Sequence, residues 1–368
     1  MISFNDLRSS NCNVQKEIEA AAMRVLRSGW YVLGPELRAF ERAFAAYHGV
    51  EHAVGVASGT DAIELSLRAA GVEPGAEVIT VAHTAVPTVC AIERAGAVPV
   101  LVDIDANTYT MDPAAVRAAI TPRTQAVVPV HLYGQPADMV TLSAIARDKG
   151  LLVVEDCAQA HGARLNGRLV GSFGDLAAFS FYPTKNLGAL GDAGAVVTND
   201  AGFADKLRQL RTYGQVGRYE HRTRGINSRL DELQAAILQA KLPHLDEQNA
   251  VRCRLAERYD AAFKNHPLIM RPEVRTGAQP VYHLYVVRNA RRDTLMRQMT
   301  DQGVQTLIHY AVPVHLQSAY ADLGYQRGDL PVTERVCGEI LSLPMHPGLH
   351  TEEVDTITEK MIACLAAV

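Results

Sequence analysis

Residues 77–104 read EVITVAHTAVPTVCAIERAGAVPVLVDI. The stretch opens on the apolar, β-branched run EVITVA (77–82) and passes into the helix-like VPTVCAIERAG (86–96). It ends on a second apolar run, PVLVDI (99–104). Near-continuous apolar runs, as opposed to alternating ones, are what parallel strands buried on both faces require. The alternation continues on either side. HAVGVAS (52–58) reads as a strand, and Asp61 to Ala70 as a helix stopped by Gly71. Beyond come the helix PAAVRAAI (113–120), the strand QAVVPVHLY (125–133), the helix MVTLSAIARDKG (139–150) and the strand LLVVED (151–156). This pattern predicts an α/β fold with a mostly parallel central sheet flanked by helices and joined by right-handed crossovers. Such sheets bind ligands beyond the carboxyl ends of their strands, so chemistry is expected just after each strand.

Outside this unit, residues 13–28 are amphipathic, SGWYVLGP (28–35) reads as a loop and 36–48 as a helix. From Leu230 to Tyr259 a long helix or helix pair is expected, interrupted at Pro243. VYHLYVV (281–287), 293–302 and VQTLIHY (304–310) read strand–helix–strand, followed by a final helix over 352–366. Two domains are expected: a large one over 1–242 and a smaller C-terminal α+β domain over 243–368, which suits a chain of 368 residues. A hydrophobic content of 48% with 21% charged residues excludes a predominantly disordered chain. The net charge of -4 argues against a nucleic-acid partner. None of the six cysteines sits in a C-x-x-C pair, which fits free thiols in a reducing compartment. The first residues, MISFNDLRSSNC, show no signal pattern, and no run reaches the ~18 apolar residues of a membrane span. A soluble cytoplasmic enzyme without a membrane partner is the expectation.

Four places could carry chemistry. Ser58-Gly59-Thr60-Asp61 joins a strand to a helix. It could cradle a phosphate on free helix N–H groups, or be an ordinary N-cap. Asp156 ends LLVVED, where a carboxylate could face a cation such as a protonated pyridine nitrogen, or simply cap the next turn. At ~4 Å and an effective dielectric near 20 that attraction is about 4 kcal/mol, enough to keep the nitrogen protonated at neutral pH. Lys185 lies in SFYPTKNLG (180–188) between two strand-like runs. A lysine among prolines and glycines is ordinarily solvated. A Schiff-base lysine needs apolar walls that lower its pKa, which Phe181, Tyr182 and the uncharged NLGALG tract could provide. His83 follows the strand EVITVA and could stack on a flat ligand or be a satisfied loop histidine. The histidine pairs at 48/52 and 346/350 have glycine or proline within their spacing, and no metal site is expected.

These stretches together resemble the DegT/DnrJ/EryC1/StrS sugar aminotransferases, a family of the pyridoxal-phosphate (PLP) fold type I. The likeness runs in order from GWYVLGPELRAFE through SGTDAIELSL, VVEDCAQAHGA and FSFYPTKNLGALGDAGAVVTND to GINSRLDELQAAIL and LIHYAVPVHLQSAY. The resemblance implies that Lys185 is the catalytic lysine that carries PLP, with pyridoxamine phosphate as the alternate form. It implies Asp156 as partner of the ring nitrogen, Gln159 beside the ring hydroxyl, and Gly59, Thr60 and Ser180 as phosphate ligands. His83 takes the ring-stacking position. Asn227 would reach the phosphate from a neighbouring subunit, making the protein a homodimer with shared sites. Tyr182, His309 and Tyr310 would contact the sugar, and Arg218, His221 and Arg224 its diphosphate. GALGDAG after the lysine and DCAQAHG before it look more like enzymes that aminate C3 of a dTDP-linked 3-keto-6-deoxyhexose from L-glutamate than like relatives acting at C4. The alternatives are a C4 or UDP-sugar aminotransferase of the same family, or a non-catalytic regulatory protein of the same fold.

Overall fold

The computed structural model describes residues 1–366. Seven strands form the central sheet: β1 (His52–Val56), β2 (Glu77–Val81), β3 (Val98–Val102), β4 (Thr124–Val127), β5 (Leu152–Asp156), β6 (Leu176–Ser180) and β7 (Gly194–Thr198). Their order is β1-β7-β6-β5-β4-β2-β3. Neighbours from β6 to β3 pair in parallel, whereas β7 runs against both β6 and β1. The reversal follows from the connection. Parallel neighbours need a crossover, usually a helix. Between β6 and β7 there is only the loop that carries Lys185. β4 ends two residues before Pro129, earlier than the apolar run suggested, because proline has no N–H for a ladder.

The helices of this part are α1 (Gln15–Ser28), α2 (Pro35–His48), α3 (Gly59–Ala70), α4 (Val86–Arg94), α5 (Pro113–Ala119), α6 (Met139–Lys149), α7 (Ala201–Leu210) and α8 (Glu232–Lys241). Ser58, Asp112, Asp138 and Asp200 each cap the helix that follows with a side-chain oxygen. On one face of the sheet, α3 buries Ile63, Leu65 and Leu67 against Val54, Val78, Val154 and Val196. On the other, Phe40 and Phe44 of α2 pack edge-on against Phe179 and Phe181 of β6 and its exit.

α9 (Leu245–Ala262) leads out of this unit after a short turn of 3-10 helix that contains Pro243. A separate core collects Leu255 and Tyr259 of α9 with β8 (Tyr285–Arg288), α10 (Arg292–Asp301), β9 (Ile340–Leu343) and α12 (Thr351–Ala366), with α11 (Pro331–Glu339) beside it. Two features differ from the sequence expectation. The strand partner of β8 is β9, not residues 304–310. The latter segment divides its backbone bonds between Ile2, at Val304, and Ser342, at Leu307, so it never builds a ladder. The chain's first residues therefore pack on its C-terminal half, where Phe4 also stacks on the His309 ring.

The loop before α2 is fixed by one buried acid. Glu232, 1% exposed, accepts the N–H groups of Gly34 and Leu37 at Oε1 (2.8 and 2.9 Å) and that of Glu36 at Oε2 (2.9 Å). These are donors that a helix start leaves without intrahelical partners. Glu232→Ala is expected to lower the unfolding free energy by about 3 kcal/mol in urea denaturation, since each orphaned donor costs roughly 1–3 kcal/mol when buried. A loss below about 1 kcal/mol would mean that water replaces the carboxylate.

Candidate active site

A cavity of about 300 Å³ opens at the carboxyl ends of β1, β5 and β6. It is lined by eight of the residues singled out in the sequence: Ser58, Gly59, Thr60, Asp156, Gln159, Ser180, Tyr182 and Lys185. At one end α3 begins. Ser58 Oγ accepts the Asp61 N–H at 3.1 Å, leaving the first backbone donors of the helix to face the cavity. Gly59 is required by close approach: a Cβ there would lie 2.6 Å from the Cβ of Ser180. Gly194, at the start of β7, is held equally tightly, since its Cβ would meet the Ser58 carbonyl carbon at 2.4 Å.

At the other end lies Asp156, 4% exposed. Its Oδ2 accepts the Thr88 hydroxyl at 2.8 Å and its Oδ1 the Ala158 N–H at 3.1 Å. Burial pushes its pKa above the usual carboxylate range, against the opposing pull of Ala158, Thr88 and the Lys185 charge. Its neighbour Glu155 points to the opposite face of β5. There it accepts the N–H groups of Gly171, Phe173 and Gly174 and pairs with His131 at 3.0 Å. His131 Nδ1 already accepts the Ala137 N–H, so Nε2 carries the proton given to Glu155. Cys157 lies close to that pair, but the carboxylate and both ring nitrogens are engaged in these hydrogen bonds.

Lys185 sits between the two ends. Burial lowers its pKa to about 8, partly offset by the Asp156 carboxylate. Its loop is fastened on both sides. Asn186 donates to Asn249 Oδ1 (2.8 Å) and to the Val281 carbonyl (3.0 Å), and its Oδ1 meets His283 Nδ1 at 3.1 Å. The buried Lys241 donates to the Gly188 carbonyl at 2.6 Å. Gln159 is pinned by the Tyr133 N–H at Oε1 (2.7 Å) and donates to the Tyr310 hydroxyl (3.2 Å).

The remaining sequence candidates are not among the residues lining this cavity. His83 is buried, with Nδ1 3.2 Å from Cys337 Sγ and Nε2 2.9 Å from the Tyr133 hydroxyl. His309 Nδ1 lies 2.9 Å from Ser342 Oγ. Asn227 is exposed, on a bridge to Thr212. Arg218, His221 and Arg224 belong to an exposed hairpin region around 215–224, where the Arg218 guanidinium stacks over Tyr219 at 5.4 Å. Sequence reasoning missed Thr84, Thr88 and Asn186. The spacing of the two threonines around Pro87 and the place of Asn186 beside the lysine were the available signals.

The donor set suits one kind of ligand. Helix N–H groups and hydroxyls receive an anion, a buried carboxylate receives a ring cation, and an amine of lowered pKa stands between them. That is the arrangement of a PLP-dependent enzyme of fold type I, and PLP is the cofactor these residues fit. Residues 12–362 match the DegT/DnrJ/EryC1/StrS aminotransferase family, and the chain belongs to it. It is 53% identical over 356 residues to a Saccharopolyspora erythraea protein named erythromycin biosynthesis sensory transduction protein EryC1, covering 97% of each chain. It is 48% identical over 362 residues to a dTDP-3-amino-3,4,6-trideoxy-alpha-D-glucose transaminase of Streptomyces venezuelae, covering 97% of this chain and 96% of that one. The X-ray structure of S. venezuelae DesV in complex with a ketimine intermediate superimposes with a TM-score of 0.96 at 48% identity, over 98% of this chain and 97% of that one. The family and fold expected from the sequence are thus the ones found.

Only the neutral Lys185 amine can attack a carbonyl carbon, and its fraction grows as pH rises through about 8. The rate at which the apo-protein acquires visible absorbance from added PLP is expected to rise about tenfold per pH unit below 8 and to level off above it. A rise that continues to pH 10 would place the lysine in a solvated setting.

Proposed function

We propose that this chain moves an amino group from L-glutamate to the C3 keto carbon of a dTDP-linked 3-keto-6-deoxyhexose, releasing 2-oxoglutarate and a 3-amino-3,6-dideoxyhexose nucleotide. The observation that carries the reading is the joint placement of Lys185, Asp156 and the Ser58-Gly59-Thr60 turn around one cavity. Relatives named as transaminases of dTDP-3-amino sugars support the acceptor, among them one from Aneurinibacillus thermoaerophilus that is 49% identical.

PLP, when bound, supplies an electron sink for charge that develops at the amino acid Cα. The protein's part is positional and electrostatic. The backbone donors at the start of α3, with Thr60 and Ser180, would hold the phosphate. Asp156 would keep the ring nitrogen protonated. The Lys185 amine would serve as general base and acid, taking the Cα proton of glutamate and giving it up again within the same half-reaction, and supplying the proton that the acceptor carbon gains in the second. Its lowered pKa leaves a useful neutral fraction near neutral pH.

The protein works as a homodimer in this reading. Trp30, Tyr31, Leu26 and Leu190 form exposed apolar surface, and a second copy would cover it. Asn227, exposed and outside the cavity of its own chain, would complete the phosphate site of the partner. His83, Tyr182, His309 and Tyr310 would face cofactor or sugar, and Arg218, His221 and Arg224 the diphosphate, once ligands and partner are present. Six free cysteines fit a cytoplasmic setting, and no helix among the described residues is long and apolar enough to cross a membrane. Two relatives carry sensory or regulatory names, but the presence of both Lys185 and Asp156 in one cavity favours turnover here.

The purified protein is expected to be yellow with PLP, and glutamate should bleach the band while 2-oxoglutarate accumulates. The 3-keto nucleotide should restore the band much faster than its 4-keto isomer. Lys185→Ala should lower turnover by about 10³-fold or more, the scale of a lost general base, while still retaining cofactor. Wild-type turnover by that variant, or a protein that no amount of PLP colours, would overturn the proposal.

A further inference from the structure

Thr84 lies two residues before α4 and Thr88 in its first turn, both buried and both lining the cavity. Their hydroxyl oxygens are 2.9 Å apart, and that of Thr88 is 2.8 Å from Asp156 Oδ2. We propose that Thr88 is a positioning residue for Asp156, and that with Thr84 it forms a one-way hydroxyl chain that keeps the carboxylate in its anionic, ring-facing state. The inference rests on the reading of Asp156 as partner of the cofactor's ring nitrogen.

The direction follows from proton counting. A threonine hydroxyl has one proton, and an ionised carboxylate can only accept. Thr88 gives its proton to Asp156, so in the contact between the threonines Thr84 must be the donor. The order Thr84 to Thr88 to Asp156 holds while Oδ2 is unprotonated. A proton on Oδ2 would force Thr88 to accept and the chain to turn round. The β-branched side chains are stiff about χ1, and the Thr88 N–H is bonded to the Ala85 carbonyl at 3.1 Å. The hydroxyl is therefore held in place.

Other groups near Asp156 do not duplicate this bond. Lys185 acts on it through charge, and both ring nitrogens of His131 are committed elsewhere, Nε2 to Glu155 and Nδ1 to the Ala137 N–H. Cys157 and Tyr310 lie near it as neutral groups whose own ionisation burial suppresses. The remaining donor is the Ala158 N–H on Oδ1. A donor to a carboxylate favours its charged form. Without Thr88 the carboxylate becomes a stronger base, and the proton it shares with the ring nitrogen moves towards the aspartate. The ring then accepts charge less readily, which slows Cα proton removal, while the phosphate contacts that hold the cofactor are untouched.

The test uses holoenzyme loaded with PLP labelled with nitrogen-15 in the ring. Thr88→Val, nearly isosteric, should move the nitrogen resonance from the protonated towards the neutral pyridine position. It should also lower kcat for the glutamate half-reaction by about 10- to 100-fold, the worth of one hydrogen bond to a charged group, with KM changed less than about twofold. Thr88→Ser, which keeps the hydroxyl, should restore both. If Thr88→Val does not fold, Thr84→Val carries the test, with a resonance shift in the same direction and a loss of about two- to fivefold, since a weaker neutral bond is removed. Variants with an unshifted resonance and wild-type kcat would overturn the inference. Failure of the wild-type protein to take up PLP at all would instead mark failure of the reading on which it rests.

Discussion

Asp156 is a carboxylate kept out of water at the tip of the central strand of the sheet, and the site is arranged around the cost of keeping it there. A buried charge without compensation is destabilising by several kcal/mol. The compensation here comes from a backbone N–H, a threonine hydroxyl and the distant charge of Lys185, none of which neutralises it. The carboxylate is thus left with unspent acceptor capacity towards the cavity. A cationic ring placed there would relieve the burial that raises its pKa, so that cost becomes affinity for the ligand.

The second constraint is the reversal of β7. Because β6 and β7 are joined without a helix, the connecting loop must turn back over the ends of the strands, directly beside β5 and the start of α3. Glycines at 188 and 194 allow that path, since a side chain at either would strike backbone at 2.4 Å. Asn186 and Lys241 then tie the loop to α9, to residues 281–283 and to α8. Two lysines are desolvated in this region, each with its pKa lowered to about 8. Only Lys185 lines the cavity; the ammonium of Lys241 is spent on the Gly188 carbonyl.

The alternation of apolar runs with helical stretches made the sheet legible, because strands covered on both faces write their burial directly into sequence. The places where the reading slipped are those decided by partners far along the chain. Residues 304–310 carry a strand-like composition, yet their backbone bonds are taken by Ile2 and Ser342, which no local pattern announces. β9 was hidden because ILSL is too short to show a period. In the site, Lys185, Asp156 and Gly59 stood out by chemistry at strand ends. Thr88 and Asn186 did not, since a threonine near a helix start reads as an ordinary cap and an asparagine in a loop as an ordinary turn residue until its partner is seen. His83 was legible as a residue just after a strand, but its neighbours Cys337 and Tyr133 come from distant segments.

The most direct measurement is the position of the cofactor on the chain. Borohydride treatment of the yellow holoenzyme, followed by proteolysis and mass spectrometry, fixes the pyridoxyl group to the lysine that carries it. The expected result is a single modified peptide containing Lys185, absent from protein first treated with glutamate. A label on Lys241 or on surface lysines, or its persistence after glutamate, would contradict the central claim.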